Sequence, residues 1–280
     1  MGCKYFAFPY HTDIKGIAKF KPNFHLKYLF LSVSQSSEIL LDLAASCHGI
    51  EKLTLLNIKN ISERGIANIL KCIVQNSGTL KVLVINFCKM KDDIWELISK
   101  LCVEIQELNI RGVGISQKSL DYFCSNVTTK IKKLDISWQP NFGDDQLKTL
   151  VTRCELTELC LTQTSVTNDS VNSIVQKLPR LSKFEFENNT FSLSNVLQIA
   201  SLPSLKTLCI WNMPRKEKEE ILKIVPNLCF SKKDENCNKP SDKKCLFCES
   251  LCIAMPYQSC TGSNNFGFWE IKNELRYFQN

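Results

Sequence analysis

Ile105-Gln106-Glu107-Leu108-Asn109-Ile110 is followed 26 residues later by Ile131-Lys132-Lys133-Leu134-Asp135-Ile136, and after 25 more by Leu156-Thr157-Glu158-Leu159-Cys160-Leu161. Each stretch holds an apolar residue, two variable ones, a second apolar residue, one variable one and a third apolar residue. Working outward, the same order stands at Leu26-Leu29-Leu31, Ile50-Leu53-Leu55, Leu80-Leu83-Ile85, Leu181-Phe184-Phe186 and Leu205-Leu208-Ile210, with a shortened copy at Cys3-Phe6-Phe8. By subtraction, the eight full copies start 24, 30, 25, 26, 25, 25 and 24 residues apart. A fixed period of this length marks stacked units, none of which buries its apolar face alone.

The last two apolar positions of each copy alternate with variable ones, which is strand periodicity, and both point into the stack. Acidic or polar pairs follow at Ser62-Glu63, Asp92-Asp93, Asp144-Asp145 and Asn168-Asp169, each before an apolar helical pattern. Oxygens there are expected to cap free amides of their own helices. Each unit therefore reads as a strand, a turn and a helix of about three turns or fewer. The expected fold class is α/β, a leucine-rich-repeat solenoid of the cysteine-containing type with a curved parallel sheet inside and helices outside. Residues 1–231 are expected to form the solenoid, 232–262 a Lys/Cys-rich insert, and 263–280 a C-terminal tail folding back on the repeats.

The residues flanking the inward pair face the concave side, where a repeat protein recognises its partners. Candidate partner-binding residues are Tyr28, Phe30, Leu56, Val82 and Val84 in the more apolar first repeats. Glu107, Arg111, Lys133, Asp135, Glu158, Lys183, Glu185 and Trp211 continue the set in the more charged later ones. An exposed strip of the first group is what a partner or a covering segment would bury. Trp269 and Ile271, one residue apart, would fall on one side of an extended tail and anchor it there.

The chain has 15 cysteines, an odd number, and its start reads as repeat sequence instead of a signal peptide. Reduced, structural thiols in the cytoplasm or nucleus are the expected state. Cys47, Cys102 and Cys154 fall just before a repeat's leading apolar residue, where a small apolar side chain packs well. No run of about 18 apolar residues exists, so no membrane partner is expected. A net charge of +7 is dispersed over most repeats without interleaved aromatics, so no nucleic-acid partner is expected either.

His11, His25 and His48 are the only histidines and stand apart from any nucleophile or orienting carboxylate. No Gly-Lys-Ser/Thr loop follows any of the scattered glycines. No enzyme activity and no cofactor are expected. Cys245, Cys248 and Cys252 form one CxxC knuckle with an extra thiol, a weak candidate for metal because a second knuckle is missing.

Cysteine-containing repeats of this length are similar to those of the F-box/leucine-rich-repeat family. Leu202-Pro203-Ser204-Leu205-Lys206-Thr207-Leu208, then Ile224-Val225-Pro226-Asn227-Leu228, then Trp269-Glu270-Ile271-Lys272 resemble, in order, the last repeats and tail of its S-phase kinase-associated branch. Phe6-Ala7-Phe8-Pro9 and the stretch from Phe24 to Leu31 resemble the start of the same repeat domain. The resemblance implies a protein-protein recognition module, the substrate receptor of an SCF (cullin-RING) ubiquitin ligase in ubiquitin-dependent degradation. Its partners would be a protein substrate on the concave face and, through an F-box, the SCF adaptor. Two residues precede the first copy here, too few for that module, so the adaptor is expected only if an F-box is supplied upstream. Gly112, Gln163 and Asn188 stand where the resembling strand ends carry an aromatic, an acid and an arginine for a cyclin-kinase accessory subunit. The alternative reading is a stand-alone repeat scaffold that binds a partner without delivering it to the ligase.

Overall fold

The computed structural model describes residues 5–8, 27–32, 49–56, 63–77, 80–86, 92–101, 103–127, 129–187, 191–211, 213–225 and 229–230. Among the described residues, ten strands lie in one parallel sheet in sequence order. They are β1 (Tyr5–Phe8), β2 (Tyr28–Ser32), β3 (Lys52–Leu56), β4 (Val82–Asn86), β5 (Glu107–Asn109), β6 (Lys133–Asp135), β7 (Glu158–Cys160), β8 (Lys183–Glu187), β9 (Thr207–Trp211) and β10 (Cys229–Phe230). Helices α1 (Glu63–Ser77), α2 (Asp92–Leu101), α3 (Gln117–Asn126) and α4 (Asp144–Val151) connect successive strands from β3 to β7. A 3₁₀ turn at Asn168–Ser170 leads into α5 (Val171–Lys177), and α6 (Leu193–Ala200) and α7 (Arg215–Ile224) complete the series. This is a leucine-rich-repeat solenoid, open and not closed into a barrel. β10 carries no copy of the motif, yet it pairs with Thr207 and Leu208 of β9.

The middle apolar position of the motif forms one column across the sheet. Leu29, Leu53, Leu83, Leu108, Leu134, Leu159, Phe184 and Leu208 are partners in register from β2 to β9. All eight are buried, and helix residues such as Ile69, Trp95, Phe123, Leu147, Ile174 and Ile199 join them in one continuous core. Removing a leucine side chain from water contributes about 1.5–3 kcal/mol, so the column alone is a large share of what holds the stack.

Hydrogen bonds repeat with the same period. The carbonyl just ahead of each strand from β2 to β8 accepts two amides from the next unit: Lys27 O takes Glu51 N and Lys52 N at 2.8 and 3.0 Å, and Lys132 O takes Thr157 N and Glu158 N at 2.7 and 3.1 Å. The same bifurcation recurs at Glu51, Lys81, Gln106, Thr157 and Ser182.

Two expectations change. Helix α1 has 15 residues, about four turns, whereas α2 to α7 have between 7 and 10. The unit with the 30-residue spacing lodges its additional residues in this helix and leaves the strand register unchanged. The acids at helix starts also do a different job from the one expected. The N-cap of α4 is Gly143, and the Asp144 carboxylate reaches forward one repeat to accept from Thr167 N at 2.9 Å, Thr167 Oγ1 at 2.7 Å and Ser170 Oγ. Asp92 likewise accepts from Ser116 Oγ, itself the N-cap of α3, and Asn168 Oδ1 accepts from Ser192 N and Asn195 Nδ2. Neighbouring helices begin side by side, so an oxygen at one helix start faces the donors of the next.

Burial pushes the Asp144 carboxyl up, but the bonds from Ser170 and Thr167 outweigh it and hold the group below its ordinary value of 3.8. A depressed folded value stabilises above the unfolded one and is lost as pH falls through the folded one. Asp144→Ala is therefore expected to lower stability by about 1–3 kcal/mol at neutral pH. Denaturant titration of the two proteins should show that difference shrinking below about pH 4.

Candidate functional site

With the helices packed on one face, the other face of the sheet presents the alternate strand residues, three per repeat. The first column runs Lys52, Val82, Glu107, Lys133, Glu158, Lys183 and Thr207 in register. From β5 to β8 its charge alternates in sign. Lys133 Nζ lies 2.9 Å from Glu158 Oε1 and 3.9 Å from Glu107 Oε2. The edge ahead of the strands repeats the device, with Lys130 paired to Glu104 and Arg180 Nη1 3.1 Å from Glu155 Oε2. Each exposed pair contributes little to stability. Their effect on the face is larger, because charges that bind each other leave less field for a highly charged partner.

The second column holds Thr54, Val84, Asn109, Asp135, Cys160, Glu185 and Cys209, all buried. Strands about 4.8 Å apart place each of these short side chains between two register neighbours and beside the longer first and third residues of its own strand. Val84, Asp135 and Glu185, together with Arg111 of the third column, are therefore not the exposed groups that alternation alone suggests. Polar second-column residues also serve the backbone. Asn109 Oδ1 accepts from Arg111 N at 3.2 Å, and Asp135 Oδ1 accepts from Ser137 N at 2.9 Å. Both donors stand two residues beyond the acceptor, where the three-residue strands β5 and β6 have ended. A side-chain oxygen there replaces the missing ladder carbonyl.

Asp135 is enclosed, and burial pushes its carboxyl up while Arg111 and Ser137 pull it back. Its second oxygen, Oδ2, has no donor among the described residues. Beside it, Ser137 Oγ and Cys160 Sγ lie 2.9 Å apart, and burial with Asp135 and Glu185 on either side raises the Cys160 thiol far above 9.0. Burial likewise raises Cys124 to about 12 and Cys154 to about 11. These are neutral, packed thiols, and among the described residues no cluster of His, Cys, Asp and Glu is arranged to hold a metal ion.

The third column ends on a turn that takes in Gly112 and Gln163, two of the strand-end positions named above, and Trp138, which the sequence did not mark. Gly112, Trp138 and Gln163 occupy equivalent places after β5, β6 and β7 with φ of 62°, 62° and 58°. Gly112 N donates to Ser137 O and Trp138 N to Thr162 O, so the left-handed residue continues the inter-repeat ladder beyond the strand. Glycine adopts this conformation freely; tryptophan and glutamine hold it at about 1–2 kcal/mol each. Trp138 is also 42% exposed, and the Arg111 Cζ lies 5.9 Å from its ring centroid. Gln139 next to it, fully enclosed, donates to Ile110 O and accepts from Ile115 N, fixing the turn against the preceding repeat. The hint in the sequence was Gly112 itself, a glycine aligned with a tryptophan one repeat later.

Of the other candidates, Tyr28, Val82, Glu107, Lys133, Glu158 and Lys183 are partly exposed on this face. Phe30, Leu56 and Trp211 lie on β2, β3 and β9, with side chains outside the described set. Cys245, Cys248, Cys252, Trp269 and Ile271, with the insert and tail as a whole, lie outside the described residues, as do His11, His25 and His48. Among the described residues no helix is long and apolar enough to cross a membrane.

No protein-family model matches the chain. Among solved structures, a chain from the crystal structure of the Rad7 and Elc1 complex in yeast is similar at 15% identity with a TM-score of 0.49, covering 67% of this chain. This chain spans 57% of that neighbour's length.

Ionising the buried Asp135 carboxyl opposes folding, since a raised folded pKa gives stability that is present below the unfolded value and lost as pH rises through the folded one. Asp135→Asn keeps the acceptor for Ser137 N and removes the ionisation. As pH rises above about 4 the parent is expected to lose stability relative to this variant, as equilibrium unfolding at stepped pH will measure.

Proposed function

We propose that the chain is a non-enzymatic protein-recognition module, a substrate-receptor-like subunit of an SCF ubiquitin ligase acting in ubiquitin-dependent degradation in the cytoplasm or nucleus. The reading rests on the likeness of its cysteine-containing repeats, and of the Leu202–Leu208 and Ile224–Leu228 stretches, to the F-box/leucine-rich-repeat family. One structural observation supports it: an unbroken parallel sheet whose open face alternates in charge from β5 to β8, with Lys133 held between Glu107 and Glu158. Such a face suits a protein surface matched in shape more than a polyanion, which releases counterions only where cations are unpaired. The chain's part would be positioning: holding a substrate near the ubiquitin conjugate raises its effective concentration without chemistry. A stand-alone scaffold that binds a partner without the ligase is the second reading, favoured if no F-box accompanies the repeats in the native product.

The deciding experiment is purification of the native protein from its own cells with quantification of the cullin adaptor. Stoichiometric adaptor is the expected result. Specific partners recovered without adaptor would instead establish the scaffold.

A further inference from the structure

Arg111 and Trp138 form an arrangement with two unmet requirements. Arg111 is 6% exposed, yet its Nε has no acceptor and no described carboxylate is close enough to make an ion pair with it. Its guanidinium lies 5.9 Å from the Trp138 ring, and the enclosed Asp135 carboxyl acts on it from beyond ion-pair distance. A buried guanidinium whose Nε–H is unfilled is rare in folded proteins and calls for an explanation. Trp138 is the second feature: a bulky residue at φ 62°, with 42% of its surface open to solvent. Backbone strain of this kind persists where the surroundings impose it, and it concentrates at ligand clamps. The two stand together beyond the C-terminal ends of β5 and β6, at the opposite end of the strands from the first column, in which Lys133 is held by Glu158 and Glu107.

The geometry points to a docking site for one carboxylate of a protein partner, an Asp or Glu side chain that lies against Trp138 and accepts from the Arg111 guanidinium. The guanidinium fork matches a planar carboxylate, and the indole wall keeps water from the pair. A doubly charged phosphate fits less well, because the enclosed Asp135 carboxyl acts on Arg111 and the Glu187 carboxylate stands along the same edge, bound to Gln163. The assignment rests on the recognition reading and deepens it by naming the chemistry that is recognised.

A phage-displayed library of random dodecapeptides, selected on the full chain, supplies the probe. The strongest peptides are resynthesised with each Asp or Glu replaced by Asn or Gln, and binding is titrated against parent protein, Arg111→Gln, Arg111→Lys and Trp138→Asn. Asparagine tolerates the left-handed conformation, so the last variant removes the ring and spares the turn. The expected result is one acidic position whose neutralisation weakens binding about tenfold or more. Arg111→Gln should weaken the acidic peptide equally, have no further effect on the neutral one, and be partly relieved by Arg111→Lys. Unchanged thermal melts of the Lys and Asn variants separate a lost contact from a lost fold. A neutral peptide that binds as well as its acidic parent, or an acidic one indifferent to Arg111→Gln, overturns the assignment. Adaptor recovery from cells is independent of this titration, so failure here leaves the ligase reading standing, and failure there leaves this site standing.

Discussion

Leu134 has no contact with solvent, and much of what excludes water from it belongs to other repeats, since Leu108 and Leu159 flank it in register on the neighbouring strands. The whole molecule is built under that condition. A strand of three residues with one short helix behind it has too little apolar area to offset the entropy of ordering it, and becomes stable when both sides are covered by copies of itself. The carbonyl that accepts two amides from the following unit adds direction to this burial, because it sets where the next strand must begin. Spacing between units can then vary, as it does between Ile50 and Leu80, provided that the variation is absorbed on the helical side.

The polar seams follow the same logic. Asp92, Asp144 and Asn168 sit at helix starts, where the dipole favours them, and bind donors of the next repeat. Glu107, Lys133 and Glu158 alternate along the open face and neutralise one another. The outcome is a face with little net field of its own, on which local features such as the Arg111 and Trp138 pair stand out. Recognition by such a surface depends on a few anchors and on shape, as in most protein interfaces.

Much of the fold was legible in the chain. The period, the three apolar positions and the parallel stacking follow from Leu, Ile and Phe recurring at fixed offsets, because burial of those side chains is a local consequence of strand alternation. The candidate face was legible only in outline. Lys133 and Glu158 are where alternation puts them, but Asp135, Arg111 and Glu185 are enclosed, and alternation carries no information on what the adjacent repeats cover. Nor does the sequence tell an acid that caps its own helix, as expected of Asp144, from one that binds the next.

Sequence by itself determined the repeat length, the class of fold, the column of core leucines and the strand sites of the concave residues, since each depends on spacing along one chain. Tertiary structure alone decided that Lys133 is held between Glu107 and Glu158, that Asn109 and Asp135 serve the backbone, and that Trp138 is held in a left-handed turn over Arg111. Those are relations between residues about 25 positions apart, brought within a few ångströms by stacking, where pairing, burial and strain are set by neighbours that no single copy of the motif contains.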